Sequence, residues 1–113
     1  MFEGVVLVAD PSLRGQRTTK TAEAARWYRL AAEQGDERAQ SNLGLMYDTG
    51  RGVLQDIVLA HMWFNIASAN GNEFATENRA FAVEKMTREQ IADAQTRARV
   101  CMSEVVAEFR TSC

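Results

Sequence analysis

Proline and histidine each occur once in this 113-residue chain, as Pro11 and His61, and cysteine only twice, as Cys101 and Cys113. That scarcity excludes whole classes of chemistry. No His/Cys ligand cluster can be assembled, and no Ser-x-x-Lys, Gly-x-Ser-x-Gly or phosphate-loop pattern occurs. Catalytic, metal and cofactor residues are therefore all expected to be none, and the chain reads as a non-enzyme. His61, at the position aligned with Ala25, reads as a packing or partly exposed surface residue and not as a proton-transfer group. Long apolar runs are missing too. The longest near the front, Val5 to Ala9, ends at Asp10-Pro11 and is too short for a membrane span or a signal peptide. Strong charge of one sign is also absent: the net charge is −2 and the pI about 5.4. Arginines alternate with Glu and Asp instead of clustering, so no nucleic-acid surface is expected. The cysteines lie twelve residues apart. In a continuing helix that is about 18 Å, far beyond the roughly 7 Å limit for a disulfide, so a bridge would require the tail to fold back. Cytoplasmic residence is the expectation, or export if the chain is a fragment of a longer protein with an upstream signal.

What the chain does have is a repeat. AARWYRLAAEQG, from Ala24 to Gly35, returns as AHMWFNIASANG from Ala60 to Gly71. A shift of 36 positions superposes Ala24 on Ala60, Trp27 on Trp63, Ala31 on Ala67, Gly35 on Gly71, Glu37 on Glu73, Ala39 on Ala75 and Asn42 on Asn78. Seven identities in nineteen positions stand far above the roughly 6 % expected by chance on average composition. Ala24, Trp27, Tyr28 and Ala31 fall on one helical face, and Arg26, Arg29, Glu33 and Gln34 on the other. Gly35 and Gly71 stand where a helix end wants positive φ, with Asp36 and Asn72 following as N-caps of the next helix. Each copy is helix, tight turn, helix.

The spacing predicts a first helix from about Thr21 to Gln34 and a second from Glu37 to Thr49, buried through Ala39, Leu43, Met46 and Tyr47. Gly44, inside the second, implies close approach of another helix. Gly50-Arg51-Gly52 makes the connecting loop, and Asp56 caps a third helix, Ile57 to Asn70, that is apolar nearly all round and so destined for burial. In the fourth, Glu73 to Lys85, Arg79, Ala80 and Val83 replace Leu43, Gly44 and Tyr47, so the array is closing. Thr87 and Gln90 form a capping box that opens a fifth helix, with Ile91, Ala94, Ala98, Cys101 and Val105 facing the core. Arg14 to Arg17 align with the Gly50 to Val53 turn as a worn leading loop, and β-branched content tilts Val5 to Ala9 toward extended structure.

The stretch EAARWYRLAAEQGDERAQSNLGLMYDTGRGVLQDIVLAHMWFNIASANG resembles the Sel-1-like repeat family, a relative of tetratricopeptide repeats. Its first helices carry A-x-x-W-Y-x-x-A-A-x-x-G and its second L-G-x-x-Y-x-x-G. The resemblance covers about residues 22 to 86, and MTREQIADAQTRAR is similar to the helix that ends many bacterial members. It implies an all-α, right-handed α-α superhelix: an irregular segment over residues 1–19, two repeats over 20–86, and a capping helix over 87–113.

It further implies an adaptor that binds a protein or peptide on the concave face shared by the first helices of the two repeats. The binding candidates on that face are Arg26, Arg29, Glu33, Met62, Asn65 and Ala69. A structural oligomerisation module is the alternative. A β-lactam-binding hydrolase is the third reading, for which no nucleophile stands beside a base. Trp63, with helices on both sides, should be buried, and Trp27 less so. Two repeats are fewer than the three or so that usually bury a solenoid core, so a homodimer through the N-terminal segment or first repeat is also expected.

Overall fold

The computed structural model describes residues 11–103, with side chains from Lys20 onward. The expected features at Val5 to Ala9, Val105 and Cys113 lie outside the described residues. Five helices follow one another: α1 Pro11–Glu33, α2 Glu37–Thr49, α3 Ile57–Ala69, α4 Glu73–Val83 and α5 Arg88–Ser103. No strand occurs among the described residues. The fold is an α-α superhelix, as the resemblance to Sel-1-like repeats implies.

The helix ends are built by the residues the pattern assigns to them. Asp36 accepts hydrogen bonds from the amides of Arg38 and Ala39, Asp56 from Leu59, and Asn72 from Ala75. Thr87 and Gln90 exchange hydrogen bonds of 2.9 and 3.1 Å between backbone amides and side chains, closing the capping box of α5. Gly35 and Gly71 have φ of 101° and 97°, so the two tight turns match.

The front of the chain departs from expectation. α1 starts at Pro11, ten residues before the predicted Thr21, and absorbs the stretch read as a worn loop. The reason lies in two substitutions. The intact loop turns through Gly50 at φ 74° and Gly52 at φ 79°. Their counterparts are Arg14 and Gln16, whose Cβ atoms disfavour that backbone, so the helix runs on. Pro11 suits a first helical position because the amide it lacks would have no intrahelical partner.

The core centres on α3, which packs against α2, α4 and α5, whereas α1 packs against α2. At Gly44 α2 comes close to α3. A Cβ built there would lie 2.6 Å from two ring carbons of Phe64, so only glycine lets α2 rest on that ring. α5 lays the small residues Ala94, Ala98 and Cys101 inward, all buried, and runs along α3 instead of extending the array across α4. Cys101 is disulfide-bonded. A continuing helix would hold the two cysteines too far apart for such a bond.

Candidate protein-binding surface

The six residues expected to share one face stand in unlike settings. Met62 is wholly enclosed, because α3 is surrounded on three sides and Met62 joins the core with Trp63, Phe64 and Ile66. It cannot meet a partner, and its place among the candidates is corrected. Asn65 is half-buried and accepts a 2.8 Å hydrogen bond from Arg79 Nη1 of α4. Ala69 is exposed at the end of α3. On α1, Arg26 is exposed, while Arg29 donates from Nε to Glu33 at 3.1 Å and from Nη1 to the Tyr47 hydroxyl at 3.1 Å. Arg26 and Arg29 also border a shallow hollow of about 160 Å³ floored by Ala22, Ala25, Leu43 and Val53.

A larger groove, about 440 Å³, opens on another side of the first repeat. Thr21, Ala24 and Tyr28 of α1 form one wall, and Asn42, Leu45, Met46 and Thr49 of α2 the other. Tyr28 is 37 % exposed. The same groove exists between α3 and α4, shifted by 36 residues, but there its α3 wall is covered: Phe64, the counterpart of Tyr28, is wholly buried beneath Gly44 of α2, while Phe81, the counterpart of Leu45, stays exposed. Lys85, the counterpart of Thr49, reaches Asp48 of α2 at 3.1 Å. The helix α2 is therefore seated on the second repeat in the position that stands open on the first. Residues lining the open groove were absent from the sequence candidates. The signal that could have found them is the 36-residue shift applied to the Gly44–Phe64 approach, since among the described residues no helix then stands above Tyr28.

The second repeat holds two buried polar atoms without hydrogen-bond partners, His61 Nδ1 and Trp63 Nε1. Burial pushes the His61 pKa down, and the nearby positive charge of Arg79 adds to the effect. The imidazole is thereby kept neutral, and it faces no open surface. Among the described residues, no three His, Cys, Asp or Glu side chains are placed to hold a metal, and no helix is long and apolar enough to cross a membrane.

Comparisons with known proteins agree with this architecture. The Sel1 repeat family matches residues 12–36 and 37–72, more than half of the chain, and both segments end on equivalent residues, Asp36 and Asn72. Over 76 residues the chain is 33 % identical to the DAP3-binding cell death enhancer 1 of Rattus norvegicus and 36 % identical to that of Mus musculus. Those matches take in 67 % of this chain but only 14 % of each relative's length. Among solved structures, the chain is similar to c5321, a protective antigen of uropathogenic Escherichia coli with an SLR fold, at a TM-score of 0.73 and 40 % identity. The likeness covers 78 % of this chain and 19 % of the antigen's. Sel1 repeats mediate protein–protein interaction and form a non-enzymatic class. On its repeat register, its turns and these matches, the chain belongs to the Sel1 repeat family.

Proposed function

We propose that this chain is a protein-interaction module whose first repeat takes up a helical segment of a protein partner in the groove between α1 and α2. The observation that carries this reading is internal: the corresponding groove of the second repeat already holds a helix, α2, seated on Phe64 and tied to Lys85. A groove walled by Ala24, Tyr28, Leu45 and Met46 has the apolar lining that an amphipathic helix covers. Arg26 and Arg29 border the smaller hollow on another side of the repeat, so Arg26 serves as the contrast to the groove. Binding on a face shared by α1 and α3 draws less support, since Met62 is enclosed and Asn65 is engaged by Arg79. The curated relatives bear the name of a DAP3-binding protein, which favours a protein partner over a small molecule. Cytoplasmic residence loses the support it drew from cysteine spacing, because Cys101 is disulfide-bonded.

Immobilised wild-type chain and the variants Tyr28→Glu, Leu45→Glu and Arg26→Glu test the groove. A protein retained by the wild type, identified by mass spectrometry and confirmed in a purified binding titration, should be lost with the first two variants. Full retention by both of those, with loss only at Arg26→Glu, would overturn the groove.

A further inference from the structure

The α1–α2 groove is one half of a repeat-to-repeat joint, and the other half is also open on this chain. In the joint observed between the repeats, α2 meets the next unit through Glu37, Gln40 and Gly44. Glu37 accepts a 2.6 Å hydrogen bond from Asn72 Nδ2, Gln40 Oε1 accepts a 2.9 Å bond from Asn70 Nδ2, and Gly44 lies on the Phe64 ring. Shifted by 36 residues, these three positions on α4 are Glu73, Thr76 and Ala80, and all three are exposed. α5 leaves this face uncovered because it runs along α3. Among the described residues, α1 and α2 thus present a seat and α4 presents a helix shaped for such a seat. Ala80 stands where Gly44 stands, small enough to approach a ring closely.

We propose that the occupant of the α1–α2 groove is α4 of a second copy of this chain, giving head-to-tail self-association that continues the superhelix from one molecule into the next. The inference rests on the groove reading above and names its partner. It follows the geometry of a joint already present in the fold: Ala80 of one copy lies over Tyr28 of the next, as Gly44 lies over Phe64. Such a contact joins two different surfaces, so it builds chains or rings and not a two-fold dimer. One substitution weakens it. Where Asn72 donates to Glu37 in the observed joint, the intermolecular joint brings Asp36 of one copy to Glu73 of the other, two carboxylates in place of a hydrogen bond. Association is therefore concentration-dependent and improvable by a single change.

Sedimentation velocity over a concentration series of the full chain tests this, with three variants. Tyr28→Glu closes the seat and Ala80→Glu closes the inserting helix; each alone should remain monomeric. Mixed, they should form a 1:1 dimer, because each keeps the surface the other lacks. Asp36→Asn retains an N-cap and restores the amide, so it should tighten association about tenfold. A wild-type chain and an Asp36→Asn variant that both stay monomeric at several hundred micromolar would overturn the inference. So would an Ala80→Glu variant that self-associates like wild type while the mixture does not, which is the signature of a two-fold dimer through the first repeats. Either result leaves the groove itself to be judged by its own pull-down, where an outside protein lost with Tyr28→Glu would still support it.

Discussion

The two repeats present nearly the same helix to different surroundings. Trp27 is 72 % exposed and Trp63 1 %, and Leu30 is 54 % exposed where Ile66 is 2 %. The backbone turns agree, with Gly35 and Gly71 differing by a few degrees in φ. Local sequence thus sets the helix and its turn, while burial of the apolar face comes from neighbours: α3 has three helices around it and α1 has one. In a stacked array the stability of a unit comes largely from its interfaces, so equivalent residues carry unequal weight according to position.

The tryptophan pair gives the largest test of that contrast. Trp63→Ala should cost about 3–5 kcal/mol through lost transfer energy and the cavity left behind. Trp27→Ala should stay within about 0.5 kcal/mol, as exposed substitutions do. Urea denaturation of both variants measures this, and equal costs would break the comparison.

The next contrast sets Gly44 against Ala80, equivalent residues on α2 and α4. Alanine normally stabilises a helix over glycine by about 1 kcal/mol. At Gly44 the added Cβ meets the Phe64 ring at 2.6 Å, and overpacking of this kind costs about 1–3 kcal/mol. Gly44→Ala should therefore destabilise, and adding Phe64→Leu should recover part of the loss by clearing the ring. Ala80→Gly, on an exposed face, should also destabilise, by about 1 kcal/mol and through helix propensity alone. Thermal unfolding that showed Gly44→Ala to be stabilising would sink the close-approach account.

Most of the framework was legible in the residues, because it rests on short-range rules. The N-caps at Asp36, Asp56 and Asn72, the Thr87–Gln90 box and the tight approach at Gly44 each follow from a residue type at a helical spacing. The start of α1 was not, because the loop depends on glycine at two particular positions and the alignment at Arg14 to Arg17 preserved only one glycine, displaced from both. Met62 was misplaced for a different reason. Its counterpart is the exposed Arg26, and the transfer of that exposure ignored the additional helices packed around α3. The open groove lay in the same blind spot, since among the described residues a helix covers Phe64 and none covers Tyr28.

Where the repeats should behave alike is in their turns. Gly35→Ala and Gly71→Ala place a Cβ on backbone at φ near 100° with no neighbouring atom within contact. Each should cost about 1–2 kcal/mol from the backbone conformation. Matching losses in chemical denaturation would sharpen the separation of local from interface effects; a loss at Gly71 alone would show that the turn, too, depends on its neighbours.

The smallest expected effect separates His61 from its counterpart Ala25, both buried and only one able to titrate. Burial, then the charge of Arg79, depresses the His61 pKa below its ordinary value near 6.5. The unfolded chain accordingly takes up a proton first as pH falls, and linkage then lowers the stability of the folded state. The sign is fixed by this order: the contribution is fully present above the unfolded pKa and is lost as pH drops through it toward the lower folded value. The fall should be concentrated between about pH 7.5 and pH 6.3, around the unfolded pKa. Urea midpoints measured across that range should fall for the wild type, and the part of the fall due to this residue should vanish in His61→Gln. An unchanged pH dependence in that variant would mean that the imidazole protonates as readily in the folded chain as in the unfolded one, and that its enclosure within the second repeat is looser than that of Trp63 beside it.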